Sequence, residues 1–134
     1  MSHPDRYRDD DADLTKLREI CLRLPDAEEK ISHGHPVFCT KKIFAIFGAV
    51  VKGDHYADDY SRSVVFLPDA DEREALLCDD RFFAPAYYGP YGWLGLNFAV
   101  GEVDWDEVAE LVHDSYRNTA TKTRVAKLNE MLAR

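Results

Sequence analysis

The chain has 134 residues, 46% of them hydrophobic, and a formal net charge of −8. That length suits one domain able to bury roughly two thirds of its unfolded surface, and no apolar run approaches the roughly 20 residues of a membrane span. The acidic balance argues against a protein that coats nucleic acid with its whole surface. The three cysteines, Cys21, Cys39 and Cys78, lie outside any C-x-x-C pattern and read as reduced, small apolar side chains.

Residues 1–10 are polar and aperiodic, and are expected to be disordered or frayed, leaving 11–134 as the domain. The opening MSHPDRYRDDDADL has no apolar core, does not read as a secretory signal, and makes the cytosol the expected address. A first helix is predicted from Asp11 to Leu24, with Leu14, Leu17, Cys21 and Leu24 on one face and Pro25 as its stop. Asp26 to Lys30 reads as a charged connector, and Ile31 to Pro36 as a loop entering the sheet. Val37 to Cys39 is a short strand and Ile43 to Val51 a longer one. In strict alternation the longer strand puts Ile43, Ala45, Phe47 and Ala49 on one face, with Phe44, Ile46 and Val50 on the other.

After a polar loop from Lys52 to Ser61, Ser63 to Leu67 is a further strand and Asp71 to Cys78 a short helix. Phe82 to Tyr88 is extended and aromatic. In Trp93 to Phe98, Leu94, Leu96 and Phe98 point one way and Trp93, Gly95 and Asn97 the other. Asp104 is a helix N-cap with Glu107 three residues on. Trp105, Val108, Ala109, Val112 and Tyr116 then make one stripe. A last helix runs from Lys122 to Leu132 behind Thr121. The connections are of hairpin length, which predicts a mostly antiparallel sheet and hence an α+β fold in a single domain.

Several blocks resemble the MmcQ/YjbR family of small bacterial proteins, often labelled DNA-binding. They are Leu24-Pro25, Glu28-Glu29-Lys30, His33-Gly34-His35-Pro36, Lys42-Ile43-Phe44-Ala45 and Phe82 through Pro90. Gly92-Trp93-Leu94-Gly95, Asp104-Trp105-Asp106-Glu107 and Asp114-Ser115-Tyr116-Arg117 complete the set. The resemblance covers about residues 14 to 130. It implies a central twisted antiparallel sheet packed by helices, similar to that of CyaY, the bacterial frataxin, and a regulatory or DNA-binding role without catalysis. Tyr91 stands where the family often has a basic residue, which removes a phosphate contact from that role. Thr121-Lys122 replaces Pro-Lys, a mild change because Thr also caps.

Two candidate sites follow. The basic end of the chain offers Arg117, Lys122, Arg124 and Lys127 for DNA phosphates. Contact through these four would be weak and salt-dependent, with log affinity falling against log salt at a slope of roughly −3 to −4. Alternatively, His35, Tyr88, Tyr91 and Trp93 could line an aromatic pocket for a small molecule. Trp93 has a bland reading as well, in a second, smaller hydrophobic layer under the helices.

No catalytic motif, P-loop or dinucleotide fingerprint is present, so no enzyme and no cofactor are indicated. His33 and His35, even with Cys39 or His55, lack a tetrahedral metal spacing. Asp54, Asp58 and Asp59 match no calcium loop. The acidic start, Asp9 to Asp13, invites iron by analogy with frataxin, but the helix dipole already accounts for carboxylates near a helix N-terminus. No metal and no membrane contact are expected, and a monomer is favoured.

Overall fold

The computed structural model of the chain describes residues 7–49 and 60–134. Among them are six strands: β1 (Glu28–Ser32), β2 (His35–Cys39), β3 (Ile43–Phe47), β4 (Ser63–Phe66), β5 (Phe82–Phe83) and β6 (Leu94–Asn97). They form one sheet in the order β1-β2-β3-β4-β6-β5, with every neighbouring pair antiparallel. The helices are α1 (Ala12–Leu22), α2 (Arg73–Leu77), α3 (Trp105–Thr119) and α4 (Lys122–Leu132). This is the single α+β domain that the strand and helix periodicities predict. Residues 54, 55, 58 and 59, and the end of the strand predicted to reach Val51, lie outside the described residues.

Capping chemistry sets the helix starts. Asp11 Oδ1 accepts the Asp13 and Leu14 N–H groups at 2.8 and 3.2 Å, and α1 then buries Leu14, Leu17 and Cys21. The acidic residues before and within its first turn are matched by arginines. Asp9 pairs with Arg18 at 2.6 Å, and Arg62 takes Asp11 at 3.2 Å together with Asp13. Asp104 Oδ1 likewise accepts the Asp106 and Glu107 N–H groups at 3.0 and 3.3 Å. The Glu107 carboxylate engages Arg81 at 2.7 Å, so only the Asp104 half of the predicted capping box is seen. The α3 stripe buries Val108, Val112, Ser115 and Tyr116; Trp105 is half-buried against Phe98, with ring centroids 5.1 Å apart.

The main core lies between one face of the sheet and α1, α3 and α4. It joins Leu14 and Leu17 to Phe38, Phe44, Phe47, Val64, Phe66, Leu94, Leu96, Val112, Tyr116 and Leu128. A second, smaller cluster gathers Val37, Ile46, Ala49 and Val65 with the partly buried Ile43, Tyr60, Phe83, Tyr88 and Trp93. All of its described members come from strands or loops, so Trp93 does sit in a second layer, but not one roofed by the described helices.

Four expectations change. Residues 28–32, predicted as connector and loop, form edge strand β1, which turns back into β2 through His33 (φ 51°) and Gly34 (φ 82°). Positive φ at both loop positions is the type I′ hairpin turn, whose twist matches the strands it joins. In β3 strict alternation fails. Phe38 pairs with Ala45 but Cys39 with Ile43, so Phe44 is an inserted residue. That bulge sends Phe44, Ala45 and Phe47 to the main core, and Ile43 and Ile46 to the second cluster. Finally, of Phe82 to Tyr88 only Phe82–Phe83 is strand, and the helix expected from Asp71 begins as a 3-10 turn, Ala70–Glu72. Among the described residues no helix is long and apolar enough to cross a membrane.

Candidate functional site

The aromatic segment between β5 and β6 is a tight loop made by glycine and proline. The Gly89 N–H donates to the Pro85 carbonyl at 2.9 Å, and the Gly92 N–H to the Gly89 carbonyl at 3.0 Å. Gly89–Tyr91 is a 3-10 turn with proline in its first turn, ended by Gly92 at φ 96°. Tyr87 is held at φ 70°, a left-handed conformation unusual for a tyrosine. Strain of this kind concentrates at functional sites. Arg73 ties the loop to α2 by donating from Nη2 to the Gly89 carbonyl at 3.3 Å, and its buried Nε has no hydrogen-bond partner among the described residues.

The aromatic rings divide by exposure. Tyr91 is 80% and Tyr87 67% exposed. Tyr88 and Trp93 are half-buried, meeting edge to face with centroids 5.8 Å apart. Beside them Phe83 lies against Tyr60, centroids 4.2 Å apart. Phe83 also covers Gly95 so closely that a Cβ there would overlap its ring. Tyr88 and Trp93 are therefore brought together, and Tyr91 stands exposed in the turn between them.

His35 is not part of this group. Its Nδ1 lies 3.2 Å from the Phe47 carbonyl, against Gly48. Gly48 bonds to Ser63, which pairs with Asn97 at one end of β6, whereas Trp93 precedes the other end. Three strand spacings and four residues of strand separate the two side chains, on the order of 20 Å. The structure thus splits the predicted pocket and leaves its aromatic half.

The four basic candidates also divide. Arg117 donates to Asp114 at 3.0 Å and to the Asn129 side chain at 3.1 Å. Arg124 pairs with Asp26 at 3.0 Å. Lys122 and Lys127 are exposed, and no carboxylate of the described residues pairs with them. Five residues apart on a helix, these two lysines point about 140° away from each other, on either flank of the buried Leu128. They do not make one continuous basic face.

Many residues of the family-like blocks have structural work. The Tyr116 hydroxyl donates to the Pro25 carbonyl at 2.6 Å, and Glu29 grips Arg18 at 2.8 and 2.9 Å. Ser115, whose hydroxyl gave no signal in the helical pattern, is fully buried between two backbone groups. Arg81 bridges Asp79 and Glu107, both at 2.7 Å, which raises its pKa further and lowers that of Asp79. This ties the start of β5 to α3. Burial pushes the Cys21 thiol well above its ordinary value, the reverse of what a nucleophile needs. Burial, and then the Arg117 charge, lower the His113 pKa. Sequence spacing also missed the carboxylates of Asp69, Glu72 and Asp114, which come within 4.8 Å of one another at the surface. They could hold a cation, though Asp114 already accepts from Arg117.

A family model described as YjbR matches residues 22–118. Among solved structures the chain is similar to the crystal structure of the Deinococcus radiodurans protein DR2400, described by the domain model DUF419. The TM-score is 0.62 and the identity 19%, with 87% of each chain covered. Identity at that level speaks for the fold alone. No curated protein matches the chain.

Proposed function

The chain belongs to the YjbR family, and from that premise we infer that it is a non-catalytic binding module of the cytosol, whose contact surface is the aromatic loop between β5 and β6. The observation that carries this reading is the half-buried Tyr88–Trp93 ring pair, with Tyr91 exposed in the turn between them. Rings held in place lose little freedom on binding and offer flat faces to a ring-bearing ligand. The Arg73 tether and the tight Gly-Pro turn support such preorganisation.

The test uses tryptophan emission. The chain has two tryptophans, so Trp105→Phe leaves Trp93 as the sole reporter. Titration with nucleosides and nucleoside monophosphates is expected to quench it saturably for at least one member, and Tyr91→Ala to weaken that response. Emission indifferent to the whole panel would remove the loop from the function.

A second reading, DNA contact through α4, has in its favour that Lys122 and Lys127 are exposed and unmatched by described carboxylates. Arg117 and Arg124 would join only by leaving their present partners.

A further inference from the structure

The sheet has two edges, and β1 is the longer of the two edge strands. Among the described residues no strand pairs with its outer side. The type I′ turn at His33-Gly34 closes on the Ser32–His35 pair. A two-residue loop of this type closes on a hydrogen-bonded pair. The amides of Ser32, Lys30 and Glu28 therefore turn toward β2, while those of Glu29 and Ile31 turn outward. Exposed edges of this kind invite another strand unless charge or proline blunts them. Here the charges alternate in sign, with Glu28 and Lys30 on the same face, both exposed.

We propose that β1 is a self-association surface, on which two copies of this chain pair antiparallel about a two-fold axis at Glu29. In that register Glu28 faces Lys30 of the second copy, and Lys30 faces its Glu28. A foreign strand does not in general match this order of charges; a second copy matches it twice. The central Glu29 residues meet each other, but each is already gripped by Arg18 through two hydrogen bonds of 2.8 and 2.9 Å. Because Asp9 also pairs with Arg18 at 2.6 Å, the centre gathers two arginines among four carboxylates, and each Glu29 meets its mate with its charge already held by an arginine. Ile31, 50% exposed on the chain itself, packs beside Ala27 of the copy. The Ala27 N–H is spent on the Leu24 carbonyl at 3.2 Å, so Ala27 contributes its carbonyl, which accepts the outward Ile31 N–H. The aromatic loop adjoins β5 and β6 at the opposite edge. Dimerisation thus leaves that loop open on both copies, and the two inferences stand or fall separately.

One strand pair makes a small interface, and small interfaces are weak. Sedimentation equilibrium of the full chain is expected to show a monomer–dimer equilibrium with a dissociation constant of about 10–100 µM. Glu28→Lys, and separately Lys30→Glu, places two like-charged pairs across the interface and should weaken it at least about tenfold. Combined, the two reversals restore complementarity, and the double variant should return to within about threefold of the parent. Ile31→Pro removes an outward N–H while sparing the ladder to β2, and should abolish the dimer in a protein whose circular dichroism is unchanged. A chain monomeric at about 1 mM would overturn the proposal. So would a dimer indifferent to both single reversals, or a double variant no better than either.

Discussion

The buried hydroxyl of Ser115 donates to the Phe44 carbonyl at 2.6 Å, while the same oxygen accepts the Leu67 N–H at 2.8 Å. Phe44 is the residue inserted by the β3 bulge, and Leu67 immediately follows β4. One side chain on α3 thus satisfies two backbone groups at neighbouring strands, where a buried group without a partner would be costly. Ser115→Ala is expected to destabilise the domain by about 2–3 kcal/mol, since both groups lose their partner. The measurement is the urea midpoint at unchanged slope; a loss below about 1 kcal/mol would mean that water takes over both bonds.

Gly95 is required by its neighbour rather than by its own backbone. The Phe83 ring lies where a Cβ would stand, and Tyr60 packs against that ring with centroids 4.2 Å apart. Gly95→Ala should cost about 1–3 kcal/mol by forcing the ring off its seat. Because the cause is one contact, the cost should largely vanish in a Phe83→Ala background. Equal losses in both backgrounds, read from thermal melts of all four proteins, would place the strain elsewhere.

These two sites show what was legible in the sequence. The face assignment of Leu94, Leu96 and Phe98 could be read because β6 keeps an unbroken two-residue period. The same reasoning misplaced Phe44, because a bulge shifts the period by one and leaves no mark in composition. The edge strand β1 was illegible for a different reason. Its residues, Glu-Glu-Lys-Ile-Ser, lack an apolar alternation, and its turn is His-Gly rather than the stronger Asn-Gly signal. For the candidate sites, residue types were visible but partners were not. Asp26 lies 98 residues from Arg124, and only the strand order separates His35 from Trp93.

The Tyr116 phenol gives a pH signature. Its pKa is raised above the ordinary tyrosine value, first by burial and then by the nearby Asp26 charge, with Arg124 opposing. The folded state therefore keeps this proton to higher pH than the unfolded chain, which releases it near about pH 10. The resulting stabilisation is complete below that pH and is lost as pH rises toward the folded pKa. Tyr116→Phe also deletes the hydrogen bond to Pro25, at a cost of about 1 kcal/mol near neutrality. The stability gap between parent and variant should then shrink from about pH 9 to 11, because only the parent carries the penalty of ionising this phenol. A gap constant across that range, by urea titration, would show that the phenol does not titrate with folding.

The DNA reading makes a prediction sharper than four cations allowed. With Arg117 committed to Asp114 and Asn129, and Arg124 to Asp26, Lys122 and Lys127 are the two of the four candidates whose charge no described carboxylate matches. Two phosphate contacts imply that log affinity falls against log salt with a slope of about −2. Lys122→Glu should bring the slope near −1 and weaken binding further by repulsion. It should not unfold α4, since a carboxylate in the first turn suits the helix dipole. The experiment titrates a fluorescent duplex at several salt concentrations with the parent and this variant. A slope near −4 would mean that both arginines leave their partners on binding, at the cost of the ties that join α3 to α4 and α4 to Asp26. A Lys122→Glu protein that binds as the parent does would take α4 out of the site. No binding even at low salt would leave the aromatic loop as the surface to pursue.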